Sequence, residues 1–356
     1  MLNTRLISQC VLRFPPISFA FAYGSAVIPQ EGKPEGGKMV DFCFVIDDGS
    51  SRSWHQANLL RNPSDYSFLA RSLGSRMISK IQKSDDVGAW YNTLVPVKNM
   101  DIDSECKKNV EHIKYGVVEM SDFLADLKDW RSLYLAGRCH KPVYYLDNLS
   151  CSKDIRSSLE ENLKSALNVS MLQLPSKFSL ADLFQTIVGL SYHGDFRMLF
   201  GEDREKITKV VKGNYHQLKE LYVPLISEDS CVRIHLNSES LEQDMDPGTK
   251  LKRLLLLPST VRKEILSRKP PNHQTSSWKS HPGNPDVEEI LAAMASWGND
   301  KILSDMIRNA TLSIVLKSSL TQSTKGIISA GLFKSVRYAG DKVIKGIKSR
   351  FPAKKS

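Results

Sequence analysis

The chain has 356 residues, 41% of them hydrophobic and 25% charged, enough for two ordinary domains and too balanced for wholesale disorder or a polytopic membrane protein. Its net charge of +10 comes from 49 basic and 39 acidic residues, but residues 325–356 hold nine Lys or Arg against one Asp, leaving 40 against 38 in the first 324. A nearly neutral body with a cationic end argues against a broad nucleic-acid footprint and for an anionic partner of the C-terminal segment.

The first 30 residues carry Arg5 and Arg13 and no acid before Glu31, a composition that organelle targeting segments share with ordinary N-termini. In 17–23, Ile17, Phe19, Phe21 and Tyr23 alternate with Ser18, Ala20 and Ala22, the period of a strand that Gly24-Ser25 ends. The Pro- and Gly-rich segment 29–38 is a connection. Val40, Phe42, Phe44 and Ile46 then alternate with Asp41, Cys43, Val45 and Asp47, predicting a second strand with one apolar face and one that begins and ends in carboxylate. Asn62-Pro63-Ser64 predicts a helix start with Ser64 as N-cap, followed by Tyr66, Leu69, Ala70, Leu73, Met77, Ile78 and Ile81 at helical spacing. Strand-like pieces at 90–97, 113–118 and 141–146 and an amphipathic stretch at 123–133 complete a small α/β domain over 1–152.

Beyond residue 150 the period becomes helical. Leu159, Leu163, Ala166, Leu167 and Leu174 mark one helix, 180–190 a second capped by Ser179, and Ile207, Val211, Leu218 and Leu221 a third. These make a mainly helical domain over 153–265. Residues 266–324 form a linker and C-terminal helical region, with the proline-rich 268–288 as linker or surface loop. The tail, 325–356, places Leu332, Val336, Ala339, Val343 and Ile347 at steps of three and four, flanked by Phe333, Ile344 and Phe351. Lys334, Arg337, Lys342, Lys345, Lys348 and Arg350 fill the remaining arc. A basic helix of this kind lies in an anionic bilayer interface, each cation adding about 1 kcal/mol. Gly340 and Gly346 cost about 1 kcal/mol each in a helix, so folding on contact with lipid is expected; a disordered basic tail or a nucleic-acid contact is the alternative. The apolar runs at 17–29 and 254–257 fall far short of the roughly 20 residues of a membrane span, so membrane contact is peripheral. Six scattered cysteines without CxxC or Cys/His grouping predict no disulfides and no structural metal.

GKPEGGK at 32–38 nearly matches a phosphate-binding loop, but Met39 replaces the hydroxyl residue and a strand follows where a helix is required. Gly24-Ser25 at a strand end, with Asp41 on the next strand, is a different constellation. Glycine lets backbone amides approach a triphosphate, serine adds a hydroxyl, and the carboxylate holds a divalent cation; a common turn is the plain alternative. Asp47 lies on the same face but roughly 20 Å away, too far to bind the same ion. Arg138, Lys141 and Lys114 are cations in apolar segments, which suits phosphate binding or surface ion pairs. His55 beside Trp54 reads as packed or capping.

The segments YGSAVIPQ (23–30), VDFCFVIDD (40–48), WHQANLLRNPSDYSFL (54–69), IKYGVV (113–118), LYLAGRCHKPV (133–143), GLSYHGDFRM (189–198) with GED (201–203), and QSTKGIISAG (322–331) together resemble the mitochondrial translocator assembly and maintenance family of phosphatidate cytidylyltransferases, in the nucleotidyltransferase superfamily. The resemblance implies an α/β (α+β) protein: a nucleotidyltransferase-fold domain, a winged-helix-like helical domain and a C-terminal amphipathic helix. It implies transfer of CMP from CTP to phosphatidic acid, giving CDP-diacylglycerol and pyrophosphate for cardiolipin synthesis. The implied location is the matrix side of the mitochondrial inner membrane, as a peripheral protein. Carried onto this chain, Tyr23, Gly24 and Ser25 bind the nucleotide and Asp41 holds Mg²⁺. Asp195, whose Gly-Asp turn exposes its carboxylate, is the second candidate metal ligand and catalytic acid, with a helix cap as its alternative. Arg138, Lys141 and Arg197 anchor the lipid phosphate. Leu332, Phe333, Val336, Arg337, Val343, Ile347 and Lys348 meet an anionic membrane surface, and no nucleic acid is expected. Two rivals remain: an RNA nucleotidyltransferase, which needs a basic, aromatic-lined path that the neutral body disfavours, and a non-catalytic inner-membrane scaffold.

Overall fold

A computed structural model describes residues 4–28, 39–97, 110–146, 152–200, 205–235, 237–268, 294 and 300–350. Helix α1 (Thr4–Leu12) leads into strand β1 (Phe19–Tyr23), which pairs antiparallel with β2 (Met39–Ile46) in the register Phe19↔Val45, Phe21↔Cys43, Tyr23↔Asp41. Helices α2 (Ser51–Arg61) and α3 (Phe68–Gln82) precede β3 (Ala89–Pro96) and β4 (His112–Glu119), and α4 (Met120–Asp129), α5 (Ala136–Cys139) and β5 (Tyr144–Tyr145) follow. The five strands form one mixed sheet, ordered β3-β4-β2-β1-β5, with β2 and β4 parallel.

Both faces of this sheet are covered. Ala20, Ala22, Val40, Phe42, Phe44 and Ile46 pack with Cys10, Val11, Phe14 and Trp54, while Phe19, Phe21, Cys43 and Val45 pack with Phe123, Leu127 and Trp130. The expected half-polar face of β2 is therefore buried at Cys43 and Val45, with Asp41 half-buried at its start and Asp47 exposed just beyond its end. A central strand with helices on both sides needs apolar residues in both directions, and Cys43 and Val45 supply them.

Two local expectations are corrected. Residues Pro63–Asp65 form a single 3₁₀ turn, and α3 begins at Phe68, with Ser67 rather than Ser64 as cap; its Oγ accepts the Ala70 N–H at 3.1 Å. The strand expected at 141–146 is only β5, because Lys141, Pro142 and Val143 line a cavity instead.

The second half contains α6 (Lys153–Met171), β6 (Lys177–Ser179), α7 (Leu180–Gly189), α8 (Arg197–Phe200), α9 (Lys206–Gly213), α10 (Tyr215–Ser227), β7 (Val232–His235), β8 (Ser240–Gln243), α11 (Pro247–Leu255) and α12 (Ser259–Leu266). Ser179 caps α7 in a reciprocal capping box with Asp182. The single helix expected around 207–221 is two, divided at Asn214, whose buried amide donates to the Val210 carbonyl at 2.6 Å. Strands β6, β8 and β7 form a three-stranded antiparallel sheet that no sequence pattern announced.

Helix α13 (Asp300–Arg350) is continuous for 51 residues. Ile307, Ala310 and Ile314 join the helical core. Farther along, the buried Lys325 ammonium donates to the Gln82 carbonyl (2.8 Å) and Asp85 Oδ1 (2.7 Å), and Ser67 Oγ donates to the Ile328 carbonyl (3.3 Å). The expected division at residue 325 thus falls inside one helix, which runs on through Gly340 and Gly346. The side chains from 330 to 350, the connection at 29–38, the GED at 201–203 and nearly all of 268–288 lie outside the described residues. Among the described residues no helix is long and apolar enough to cross a membrane, and Cys10, Cys43, Cys139 and Cys231 are free thiols.

Candidate active site

β1 ends at Tyr23, and Gly24 turns the chain with φ +86°, a conformation that favours glycine. A Cβ built there would stand 2.9 Å from Asp41 Oδ2, so the glycine is also what lets the carboxylate close against the turn. The Gly24 carbonyl accepts the N–H groups of Val27 (3.0 Å) and Ile28 (2.9 Å), which tightens the loop. On the other side of β2, Asp41 registers with Lys114 of β4, whose ammonium lies 4.9 Å from the Tyr91 ring centre. Acid, turn and cation thus sit at one end of three adjacent strands.

Beside this end lies a cavity of about 160 Å³. Tyr23 and Gly24 form one wall, and Tyr134, Arg138 and Lys141 the second. Ser191, Tyr192, Asp195 and Arg197, after α7, form the third, and Val315, Ser318 and Ser319 of α13 close it. The cations expected to hold a phosphate therefore meet in one space with Tyr23 and Gly24, contributed by segments far apart in the chain.

Each cation is fixed by its surroundings. The buried Asp126 carboxylate accepts the N–H groups of Ser132 (2.8 Å), Leu133 (3.0 Å), Leu135 (2.8 Å) and Ala136 (3.0 Å), together with the Ser132 hydroxyl (2.9 Å). This cradle shapes the loop that launches α5 and aims Arg138. The Arg138 guanidinium lies over the rings of Tyr134 (3.9 Å) and Tyr23 (5.1 Å) and donates to the Tyr134 carbonyl, while its buried Nε finds no acceptor among the described residues. Burial opposes ionisation of Tyr134, but Arg138, Lys114 and Arg197 outweigh it and lower that phenol. Lys141 donates to Ser191 Oγ at 2.5 Å and lies 4.8 Å from the Tyr192 ring. Burial first, then the neighbouring Arg138 and Lys206, pushes its ammonium down to about 7.

Asp195 was expected to expose its carboxylate; the structure places it 6% exposed and engaged with Arg197. Arg197 Nε donates to Oδ1 (2.9 Å) and Oδ2 (3.1 Å), its Nη2 to Oδ2 (2.5 Å) and its backbone N–H to Oδ1 (3.0 Å). The Gly-Asp turn is present, with Gly194 at φ +89°, but it faces α13: a Cβ on Gly194 would stand 2.5 Å from the Leu312 carbonyl oxygen. The Phe196 N–H also donates to Ser319 Oγ at 3.3 Å.

The other acids at β2 serve the fold. Asp47 accepts the Ser18 hydroxyl (2.6 Å), and Asp48 accepts the Ser121 N–H (2.8 Å). Cys43 is buried in the core beside Phe19, Phe21 and Val45, and that burial pushes its thiol up to about 12. His55 lies in a separate buried network, between the Tyr66 hydroxyl (2.9 Å) and Gln82 Oε1 (2.8 Å), and burial lowers it to about 4. Among the described residues no three His, Cys, Asp or Glu side chains gather to hold a metal ion. Asp41 stands beside the turn, a hard oxygen donor that suits a divalent cation arriving with phosphate oxygens.

Sequence reasoning missed Asp126, Tyr134, Ser191, Tyr192 and the α13 residues. Tyr134, Ser191 and Tyr192 lie inside the segments 133–143 and 189–198 that carry the resemblance but were not singled out there, Asp126 and the α13 residues lie in none of those segments, and Val315, Ser318 and Ser319 reach the cavity from nearly 300 residues beyond Gly24.

A family model described as phosphatidate cytidylyltransferase, mitochondrial, matches residues 7–345. Proteins of that name are 40% identical in Xenopus laevis over 345 residues (95% of this chain, 94% of the relative) and 41% identical in Danio rerio over 342 residues (95% and 93%). In Bos taurus the identity is 41% over 334 residues (92% and 90%). With the model spanning almost the whole chain and relatives of this similarity covered nearly end to end, the chain belongs to the mitochondrial phosphatidate cytidylyltransferase family.

Proposed function

We propose that this chain transfers CMP from CTP to phosphatidic acid, releasing pyrophosphate and forming CDP-diacylglycerol. The observation that carries the reading is the meeting, in one cavity, of the Gly24 turn, against which Asp41 closes, with three cationic side chains, Arg138, Lys141 and Arg197. In this reading the mixed sheet is a nucleotidyltransferase fold and the helical part with its small sheet is winged-helix-like. Family membership supports the reading, as do the relatives' printed names.

Tyr23, Gly24 and Ser25 hold the nucleotide, the glycine admitting the triphosphate close to backbone amides. Asp41 would hold Mg²⁺, which when bound would supply charge neutralisation for the phosphates. The lipid phosphate is already anionic near pH 7, so the site needs no strong base, in keeping with the absence of His55 from the cavity lining. Arg138, Lys141 and Arg197 hold that phosphate so that one oxygen faces the α-phosphorus in line, overcoming the repulsion between two anions. Asp195 becomes available as a second ligand only when Arg197 turns to the incoming phosphate.

We place the activity on the matrix side of the mitochondrial inner membrane, feeding cardiolipin synthesis, with the 325–356 tail as a peripheral anchor on an anionic surface. The test is formation of radiolabelled CDP-diacylglycerol from CTP and phosphatidate with Mg²⁺; no product overturns the assignment. Deleting residues 331–356 should reduce turnover on vesicles more than on detergent-dispersed substrate, and equal losses would remove the anchoring role.

A further inference from the structure

The face of α13 that packs on the body continues into the tail. Leu332, Val336, Val343 and Ile347 each follow a buried residue (Ile314, Ser318, Lys325 and Ser329) by eighteen positions, which is five turns of about 3.6 residues. The apolar row of the tail therefore has the helical phase of the packed face. At the far end of that face stands the start of α3: Ser67 Oγ donates to the Ile328 carbonyl, and Ile328 packs on the cluster of Tyr66, Ala70, Ile78 and Trp90. Immediately there, Phe68 is 78% exposed and Leu69 47% exposed, unusual for two adjacent large apolar side chains that no described strand or helix covers. Exposed Arg71 follows in the same short helical piece, and exposed Arg76 and Lys80 lie beyond a kink at Gly74 (φ +70°), with no acidic residue anywhere in 68–82.

We propose that the first turn of α3, with Phe68 and Leu69 as the inserted side chains and Arg71 beside them, is a second contact with an anionic phospholipid bilayer. An apolar pair flanked by cations on a helix without acids is complementary to that surface. It adjoins Ile328, three residues before residue 331, so one bilayer meets both this turn and the tail. Ile328 lies nine residues beyond the cavity residue Ser319, about 14 Å along the helix axis. The two contacts together hold the cavity near the lipid surface in a set orientation, which a single tail does not.

The inference rests on the membrane part of the proposed function, and the test separates the two. The full-length protein, the Phe68→Ser/Leu69→Ser variant and the protein lacking 331–356 are sedimented with phosphatidylcholine vesicles containing phosphatidylglycerol. The variant is expected to partition about tenfold or more less strongly, with unchanged thermal stability and unchanged turnover on detergent-dispersed phosphatidate. Phe68→Trp should gain emission quenched by brominated lipid. A serine variant that partitions like the wild type overturns the proposal; if the tail deletion still loses binding, the peripheral reading stands without it. Wild-type protein that does not sediment overturns both. Indole emission from Phe68→Trp that the brominated vesicles leave unquenched also overturns it and points to a protein partner for this patch.

Discussion

Asp41 Oδ2 occupies the space that a side chain on Gly24 would need, at 2.9 Å from the ideal Cβ position. Gly24→Ala therefore meets two obstacles, a positive φ that L-residues avoid and a carboxylate that must move. Turnover should fall by about a hundredfold or more, the scale of losing a preorganised electrostatic contact, while the melting temperature falls by only a few degrees. Near-normal kcat in a folded Gly24→Ala protein would show that the close approach is not used.

Asp41→Asn keeps the shape of the side chain and removes its charge. It should abolish CDP-diacylglycerol formation with the fold intact by circular dichroism, and calorimetry should show CTP binding that no longer responds to Mg²⁺. Unchanged activity would remove Asp41 from the chemistry.

Asp195→Asn distinguishes two roles for the buried carboxylate. If it chiefly positions Arg197, through the bonds at 2.5 to 3.1 Å, KM for phosphatidate rises about tenfold, roughly one charge-assisted hydrogen bond, and the Mg²⁺ dependence is unaltered. A raised Mg²⁺ requirement with unchanged KM for phosphatidate would instead make it a metal ligand.

Lys141 sets a pH limb. Its ammonium is pushed down to about 7 by burial and then by Arg138 and Lys206, so the free enzyme loses this charge as pH rises through 7. The second ionisation of the lipid phosphate, near pH 6, gives the rising side, so kcat/KM for phosphatidate should be bell-shaped. Lys141→Arg should flatten the falling side. The unfolded chain keeps this proton to about pH 10.4. Between 7 and that value the unfolded state binds more protons than the folded one, and the contribution of Lys141 to stability rises with pH. A falling limb that survives in Lys141→Arg would assign it to another group.

Lys325→Met should destabilise the protein by about 3 kcal/mol, read from urea unfolding, because it leaves Asp85 without the ammonium now 2.7 Å from it. A loss below about 1 kcal/mol would mean that solvent already supports that carboxylate.

Much of the sheet was legible: β1 and β2 lie close to where period two placed them, and β3 and β4 close to the strand-like pieces at 90–97 and 113–118. What period could not convey is coverage. Cys43 and Val45 read as the weaker face of β2, yet helix α4 brings Phe123 and Leu127 onto them. The break at Asn214 was invisible because Ile207, Val211, Leu218 and Leu221 stay in helical phase across it. Strands of three and four residues such as β6, β7 and β8 are too short to show any period. At the site, Gly24 with Asp41 and the cations Arg138 and Lys141 could be picked out because a turn residue or a charge stood in an apolar setting. The pairing of Asp195 with Arg197 could not, since two residues of opposite charge two positions apart leave the partner of each open until the turn is built.

Gly194 touches the backbone of Leu312 with no side chain between them, so the turn that presents Arg197 has no slack against α13. From Leu312 to the Lys325 clamp is about 20 Å of helix, and from the clamp to Arg350 about 38 Å. One packed helix thus connects the turn that carries Arg197, the proposed head-group residue, with the proposed membrane tail. A change at the tail, on a curved bilayer for instance, would reach that turn through this packed helix, and turnover measured on vesicles of decreasing diameter would register it.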